Sequence, residues 1–249
     1  LPLKWARKNN IKKGDDVEVV IDRDMLHIGA SDVKAEKREI DVSVPKMDGR
    51  PLLFLIRHLY VNGYDTIRLR FEKGTIKHYR KKVEMSPQAF VGYEIKRLMG
   101  LEITSMKKNT CVLTCMAKES TEELEKSLQR TFFIIKDMFE EMVHAMEEGA
   151  DDLYQFANDM HDQATTFIAY NLRTLNKLGY NDRITTIKTS EFIYLLDTIV
   201  DLTKYLLREL SEYVPYKNKE ILAVAGEVVD IFDKSHKLYH TFTLESMDD

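Results

Sequence analysis

The period of the hydrophobic positions changes near residue 118. Before it, apolar residues alternate over short segments, as in half-buried strands. "DVEVVI" and "MLHIGA" flank Asp22-Arg23-Asp24 and predict a hairpin with a tight turn. "REIDVSV" predicts a further strand, and "DTIRLRF" another with Ile67, Leu69 and Phe71 on one face. "LEITSM" and "TCVLTC" predict a second hairpin across Lys107-Lys108-Asn109. Two helices interrupt these strands. "PLLFLIRHLYVNG" is apolar at 52, 53, 55, 56 and 59, with Pro51 in its first turn and Gly63 past its end. "SPQAFVGYEIKRLMG" has Ser86 as N-cap, Pro87 as first residue and Gly100 as stop.

After Ser120 the apolar steps become threes and fours. Ser120-x-x-Glu123 has capping-box spacing, and Leu124, Leu128, Phe132, Ile135, Met138, Met142 and Met146 follow in one stripe to about Glu148. A second helix is predicted from Asp151 to Leu178, through Phe156, Met160, Phe167, Leu172 and Leu175, stopping at Gly179. A third is predicted from Ser190 to Tyr213, ending at Pro215, and a fourth from Lys219 to Phe242. Short links between long helices favour antiparallel neighbours. The fold class is therefore α+β: a β-hairpin module at 1–36, a β-α-β-α-β-β middle domain at 37–117, and an all-α antiparallel four-helix bundle at 118–249.

Composition narrows the chemistry. The 249 residues carry a formal net charge of -4, which excludes neither nucleic acid nor protein as partner. No apolar run reaches the ~18 residues that cross a bilayer. Cys111 and Cys115 fall on one face of a strand, about 13 Å apart, too far to be bridged; two small core thiols in a reducing, cytoplasmic setting are expected. Phosphate-cradling glycine loops, nucleophile elbows, HExxH and CxxC pairs do not occur, so no enzyme activity is expected. His236-x-x-x-His240 shares a helical face among aromatic residues and reads as core rather than as a ligand pair.

Two acidic spacings stand out. Asp197 and Asp201 lie one turn apart, as do Asn158 and Asp162 on the preceding helix, beside Asp159. Oxygens converging from two adjacent helices would suit a hard or borderline cation. The competing reading is a solvated stripe, because Asp197, Asp201, Lys204 and Arg208 supply their own counter-charges. At the front of the chain, Lys4, Arg7, Lys8, Lys12 and Lys13 form a run of cations with no acid before Asp15, suited to phosphate contacts; an ordinary solvated helix is the alternative. A second run, Lys73, Lys77, Arg80, Lys81 and Lys82, falls in a predicted loop and reads as solvated.

The helical half, about 119–243, resembles the PhoU family of phosphate-uptake regulators, whose bundles repeat an acidic-xxx-Asp motif. Asp197-x-x-x-Asp201 matches that motif; the other copy falls on Asn158-x-x-x-Asp162, where Asn replaces the acid. The resemblance implies a divalent or ferric ion at the bundle surface held by Asp197, Asp201, Asp162 and Asn158, reduced here to a weaker or single-metal site. "LPLKWARKNNIKKGDDVEVVIDRDMLHI" resembles an AbrB/SpoVT-type DNA-binding module, through Leu1-Pro2, Ile11, Gly14-Asp15, Val17 and Leu26. That family's first strand is expected before Leu1, and its fold closes only as an intertwined homodimer. "LMGLEI" at 98–103 is similar to the segment that joins such modules in archaeal PhoU-like regulators. Together they imply a DNA-binding regulator of phosphate uptake. An adaptor that docks its bundle on a phosphate transporter or signalling protein is the alternative, and a metal-dependent hydrolase a distant third.

Overall fold

The computed structural model describes residues 1–8, 10–22, 25–30, 37–180, 182–215 and 218–241. Arg23 and Asp24 of the expected first turn, the connector 31–36 and Phe242 lie outside them. The architecture is α+β, and among the described residues no helix is long and apolar enough to cross a membrane.

A short helix, α1 (Leu3–Lys8), leads into an antiparallel hairpin of β1 (Val17–Asp22) and β2 (Met25–Ala30). Asp15 closes the turn before β1 by accepting from the Lys12 N–H at 2.7 Å, and Gly14 takes the left-handed backbone there, φ +100°. Next come β3 (Glu39–Val44), α2 (Gly49–Val61) and β4 (Thr66–Phe71), with β3 and β4 parallel and α2 as their crossover. The small hairpin β5 (Ile76–Lys77) and β6 (Glu84–Met85) precedes α3 (Pro87–Glu94), which runs into a 3-10 turn at Ile95–Arg97. The hairpin β7 (Leu101–Lys107) and β8 (Thr110–Cys115) then completes a sheet in the order β3-β4-β8-β7. A register shift between Ile103 and Ser105 marks a bulge in β7.

Strand alternation decides which face of this sheet is wet. Ile67, Leu69, Cys111 and Leu113 are buried beneath α2 and α3, while Arg68 and Arg70 point outward to Glu39 at 2.8 Å and Asp41 at 3.1 Å. Leu52, Ile56, Leu59 and Tyr60 form the matching stripe of α2. Gly49 begins that helix where a side chain would not fit: an added Cβ would lie 2.5 Å from the Phe90 ring and 2.8 Å from the Lys77 carbonyl oxygen. Ser86 caps α3 by accepting from the Ala89 N–H at 3.2 Å, with Pro87 as its first residue. Both cysteines are free thiols, Cys111 buried and Cys115 half-buried.

Four long helices follow: α4 (Thr121–Glu148), α5 (Leu153–Lys177), α6 (Arg183–Leu210) and α7 (Lys219–His240). Ser120 caps α4 by accepting from the Glu123 N–H at 3.1 Å, and all seven predicted stripe residues of α4 are buried. Paired side chains show the directions. Thr131 meets Asn171 while Glu125 meets Tyr180, so α4 and α5 are antiparallel. Asn158 meets Arg208 while Tyr180 meets Thr186, so α6 turns back on α5. Phe139 and Phe132 contact Phe232 and His240 in reverse order, placing α7 antiparallel on α4. His236 and His240 sit in this aromatic cluster, His236 stacked on Phe132 with ring centroids 4.2 Å apart. The buried apolar residues of sheet, α2, α3 and bundle form one continuous core.

Candidate functional site

The junction between α5 and the α/β region gathers the buried charge, at two places. The first centres on Arg173, whose side chain is wholly buried. Its Nε donates to Glu119 Oε1 at 2.8 Å, Nη1 to the carbonyls of Tyr60 (2.9 Å) and Tyr64 (2.8 Å), and Nη2 to Asp65 Oδ1 at 2.8 Å. Lys177, one turn on, donates to Asp65 Oδ1 at 2.6 Å and to Glu119 Oε2 at 3.3 Å. Asn176 Nδ2 donates to the Val61 carbonyl at 2.9 Å. The Tyr60 and Val61 carbonyls close α2 at the negative end of its dipole, so the cationic and amide donors from α5 suit them and add to the Gly63 N–H bond that Tyr60 already accepts. Burial acts to raise the Asp65 carboxyl, but hydrogen bonds from Lys177 and the Arg38 N–H, with the charges of Lys177 and Arg173, outweigh it and hold the group below the usual carboxylate range.

The second place holds most of the acidic positions singled out in the sequence. Asp162, on α5, takes a two-pronged pair from Arg80, Nη1 to Oδ2 at 2.6 Å and Nη2 to Oδ1 at 2.8 Å, and a further bond from Arg97 Nη2 at 2.6 Å. His161 bridges outward: Nδ1 lies 3.0 Å from Asp162 Oδ1 and Nε2 lies 3.0 Å from Asp201 Oδ1 on α6. Lys204 also pairs with Asp201. Asp197 meets Arg57 of α2 at 3.3 Å, and Asn158 accepts from Arg208 while its amide donates to the Tyr154 carbonyl at 2.7 Å. Burial opposes ionisation of Asp162, but hydrogen bonds from His161 and Arg80 and the charges of Arg97 and Arg80 hold it well below the usual range. Asp201 is likewise lowered, with Lys204 and His161 outweighing its burial.

Of the four positions read as metal ligands, Asp162 and Asp201 thus approach one another through His161, Asp197 turns to α2, and Asn158 turns to Arg208. Among the described residues no group of three or more His, Cys, Asp or Glu side chains is placed to hold a metal ion. In this arrangement the four do not fit a shared cation, because cationic side chains already engage the three carboxylates and the Asn158 carbonyl.

Beside Asp162 lies a trio that the sequence did not reveal, buried His78 and Glu94 with half-buried Arg97. His78 Nδ1 accepts from the N–H groups of Arg80 and Lys81, each at 3.2 Å, which assigns the proton of the neutral ring to Nε2. That nitrogen lies 3.5 Å from Glu94 Oε1, on α3, without a hydrogen bond. Glu94 Oε2 lies 3.5 Å from Arg97, which reaches on to Tyr79 Oη at 3.2 Å. Burial pushes the Glu94 carboxyl up, against Arg97 and Arg80; burial, then Lys81 and Arg80, pushes His78 down. Arg80 of the predicted solvated run is thus committed to Asp162, and Lys81 sits 3.9 Å from the Tyr93 ring centroid.

The cationic front stands apart. Lys4, Arg7 and Lys8 share one side of α1, Lys12 and Lys13 follow in the turn, and all five are exposed. Among residues 1–30 whose side chains are described, none is buried, and Leu3 and Val19 are 74% and 51% exposed. Comparison of the chain with protein-family models, curated proteins and solved structures finds no match.

Proposed function

We propose that the chain is a regulator of phosphate uptake: its N-terminal segment contacts DNA as part of a homodimer, and its helical bundle carries the signal to that segment. The observation that carries this reading is the front of the chain, where five exposed cations lie on a segment that buries none of its described side chains. A module that closes only against a second copy leaves its apolar residues uncovered within one chain. The assignment to phosphate rests on the resemblance of Asp197-x-x-x-Asp201 and of residues 1–28 to the two families named above. A cytoplasmic setting goes with this reading.

Lysine and arginine on phosphates supply affinity and register rather than base reading. Two copies offer up to ten such contacts, for which binding weakens by roughly 10³–10⁵ between about 50 and 200 mM salt. Duplex binding by the full chain across that range tests the reading. Arg7→Ala/Lys8→Ala is expected to weaken binding to all sequences alike and to flatten the salt dependence, by about 0.9 per phosphate contact removed. Absence of duplex binding at the lowest salt overturns it in favour of the adaptor, in which the bundle docks on a phosphate transporter or signalling protein.

A further inference from the structure

We infer that the outer face of α6 is a second self-association surface, on which two copies of the chain pack antiparallel about a two-fold axis at Thr198. This helix is apolar on opposite sides. Its inner side buries Ile193, Leu196, Val200 and Leu207 against the rest of the bundle. Its outer side carries Ile187, Tyr194, Leu195, Leu202, Tyr205 and Leu206, each 46–64% exposed. Its own bundle covers only one of these two apolar sides. These six residues present on the order of 600 Å², at the upper end of the roughly 300–600 Å² of a monomer's largest apolar patch and below the roughly 800 Å² that each partner gives a standard interface.

The pattern selects the occupant. Along the outer face, positions 187, 191, 194, 198, 202, 205 and 209 follow steps of 4, 3, 4, 4, 3 and 4. That series reads the same in both directions about Thr198, so a two-fold rotation lays the seam on itself, as an isologous contact requires. Tyr194 of one copy then faces Leu202 of the other, and the Glu191 carboxylate faces the Tyr205 hydroxyl. Exposed charges agree: Arg183 and Lys188 lie towards the start of the helix, and Glu209 and Glu212 at and just past its end. Antiparallel pairing about Thr198 sets Glu209 against Ile187, with Lys188 beside it, and Glu212 against Ile184, with Arg183 beside it, twice over. An anionic membrane is a poorer occupant, because surface-lying helices carry a cationic polar face whereas Glu191 and Glu209 stand in this seam. The residues of this seam are not those of the N-terminal contact.

Sedimentation velocity on the full chain tests the inference. Leu202→Glu, at a position 64% exposed and so tolerated by the fold, is expected to halve the mass of the assembly or weaken its association at least tenfold. Lys188→Glu alone is expected to weaken it, and Lys188→Glu/Glu209→Lys to restore it. Under oxidation, Thr198→Cys is expected to form a disulfide-linked dimer at least tenfold faster than the exposed control Glu147→Cys. A mass unchanged by Leu202→Glu, failure of the double charge reversal to restore association, or equal cross-linking rates overturns the inference. So does capture of the wild-type chain on anionic vesicles in place of self-association. None of these readouts depends on DNA, so failure here leaves the duplex-binding test standing.

Discussion

The two charged junctions along α5 are built from the same residue types and differ in how completely they are satisfied. At Arg173 the guanidinium donates to four acceptors, and both flanking carboxylates also meet Lys177. At Asp162 the direct partners are close, but the shell behind them is unfinished: His78 Nε2, both Glu94 oxygens and Arg97 Nε are buried without a hydrogen bond. A satisfied buried network rigidifies, whereas an unsatisfied one retains a desolvation cost that movement or protonation can relieve. The Arg173 junction is therefore the better-satisfied anchor, and the Asp162 junction is where a changed relation of α/β region and bundle would relieve a desolvation cost. An effector would shift that relation only by binding one arrangement better than the other.

Breaking the anchor should cost most. Arg173→Met removes the buried guanidinium from between Asp65 and Glu119, leaving them Lys177 alone as cation, and takes its donors from the Tyr60 and Tyr64 carbonyls, so a loss of about 3–5 kcal/mol in denaturant unfolding is expected. Asp162→Asn leaves Arg80 and Arg97 facing a neutral group at a partly exposed site, and about 1–3 kcal/mol is expected. It should also change the acid limb. The folded Asp162 carboxyl is held below its unfolded value, so its contribution is present above roughly pH 4 and is lost as pH falls towards the folded value. Stability of Asp162→Asn should therefore fall less steeply with acid than that of the parent chain.

Glu94→Gln gives the smallest change, with the opposite sign. Burial raises the Glu94 carboxyl, so its neutral form favours folding below the ordinary carboxylate range and that advantage is lost as pH rises through the folded value. A permanently neutral side chain should leave the variant as stable as the parent in acid and no less stable at neutral pH. A clear loss at neutral pH would show instead that the ionised Glu94–Arg97 pair holds the junction.

The same contrast explains what the sequence disclosed. The stripe of α4 was legible because large apolar residues recur at helical period, and each one is buried. On α5 the larger residues Phe156, Met160 and Phe167 are only half-buried, while Ala157, Ala164 and Ala169 are wholly buried. Small side chains weaken a hydrophobic pattern exactly where they let helices approach. The start of α6 lies seven residues before the predicted Ser190, because "RITTIKT" is rich in β-branched residues that favour strands. Its signal was Asp182, which accepts from the N–H groups of Ile184 and Thr185. Asp162 and Asp201 do meet across α5 and α6 through His161, but sequence did not show that Arg57, Arg80 and Arg97 arrive from more than sixty residues away. Arg173 and Lys177 carried no signal in the sequence for the same reason: their partners are contributed by other elements.

The capping of α2 by α5 bears on how the chain is made. As synthesis proceeds from the N-terminus, residues 37–117 leave the ribosome before Arg173 and Asn176 exist. The middle domain's helix thus waits for nearly half of the next region before Arg173 and Asn176 reach its last carbonyls. A nascent chain stalled near residue 120 would hold an unfinished α/β layer with bare apolar surface, the species a chaperone recognises.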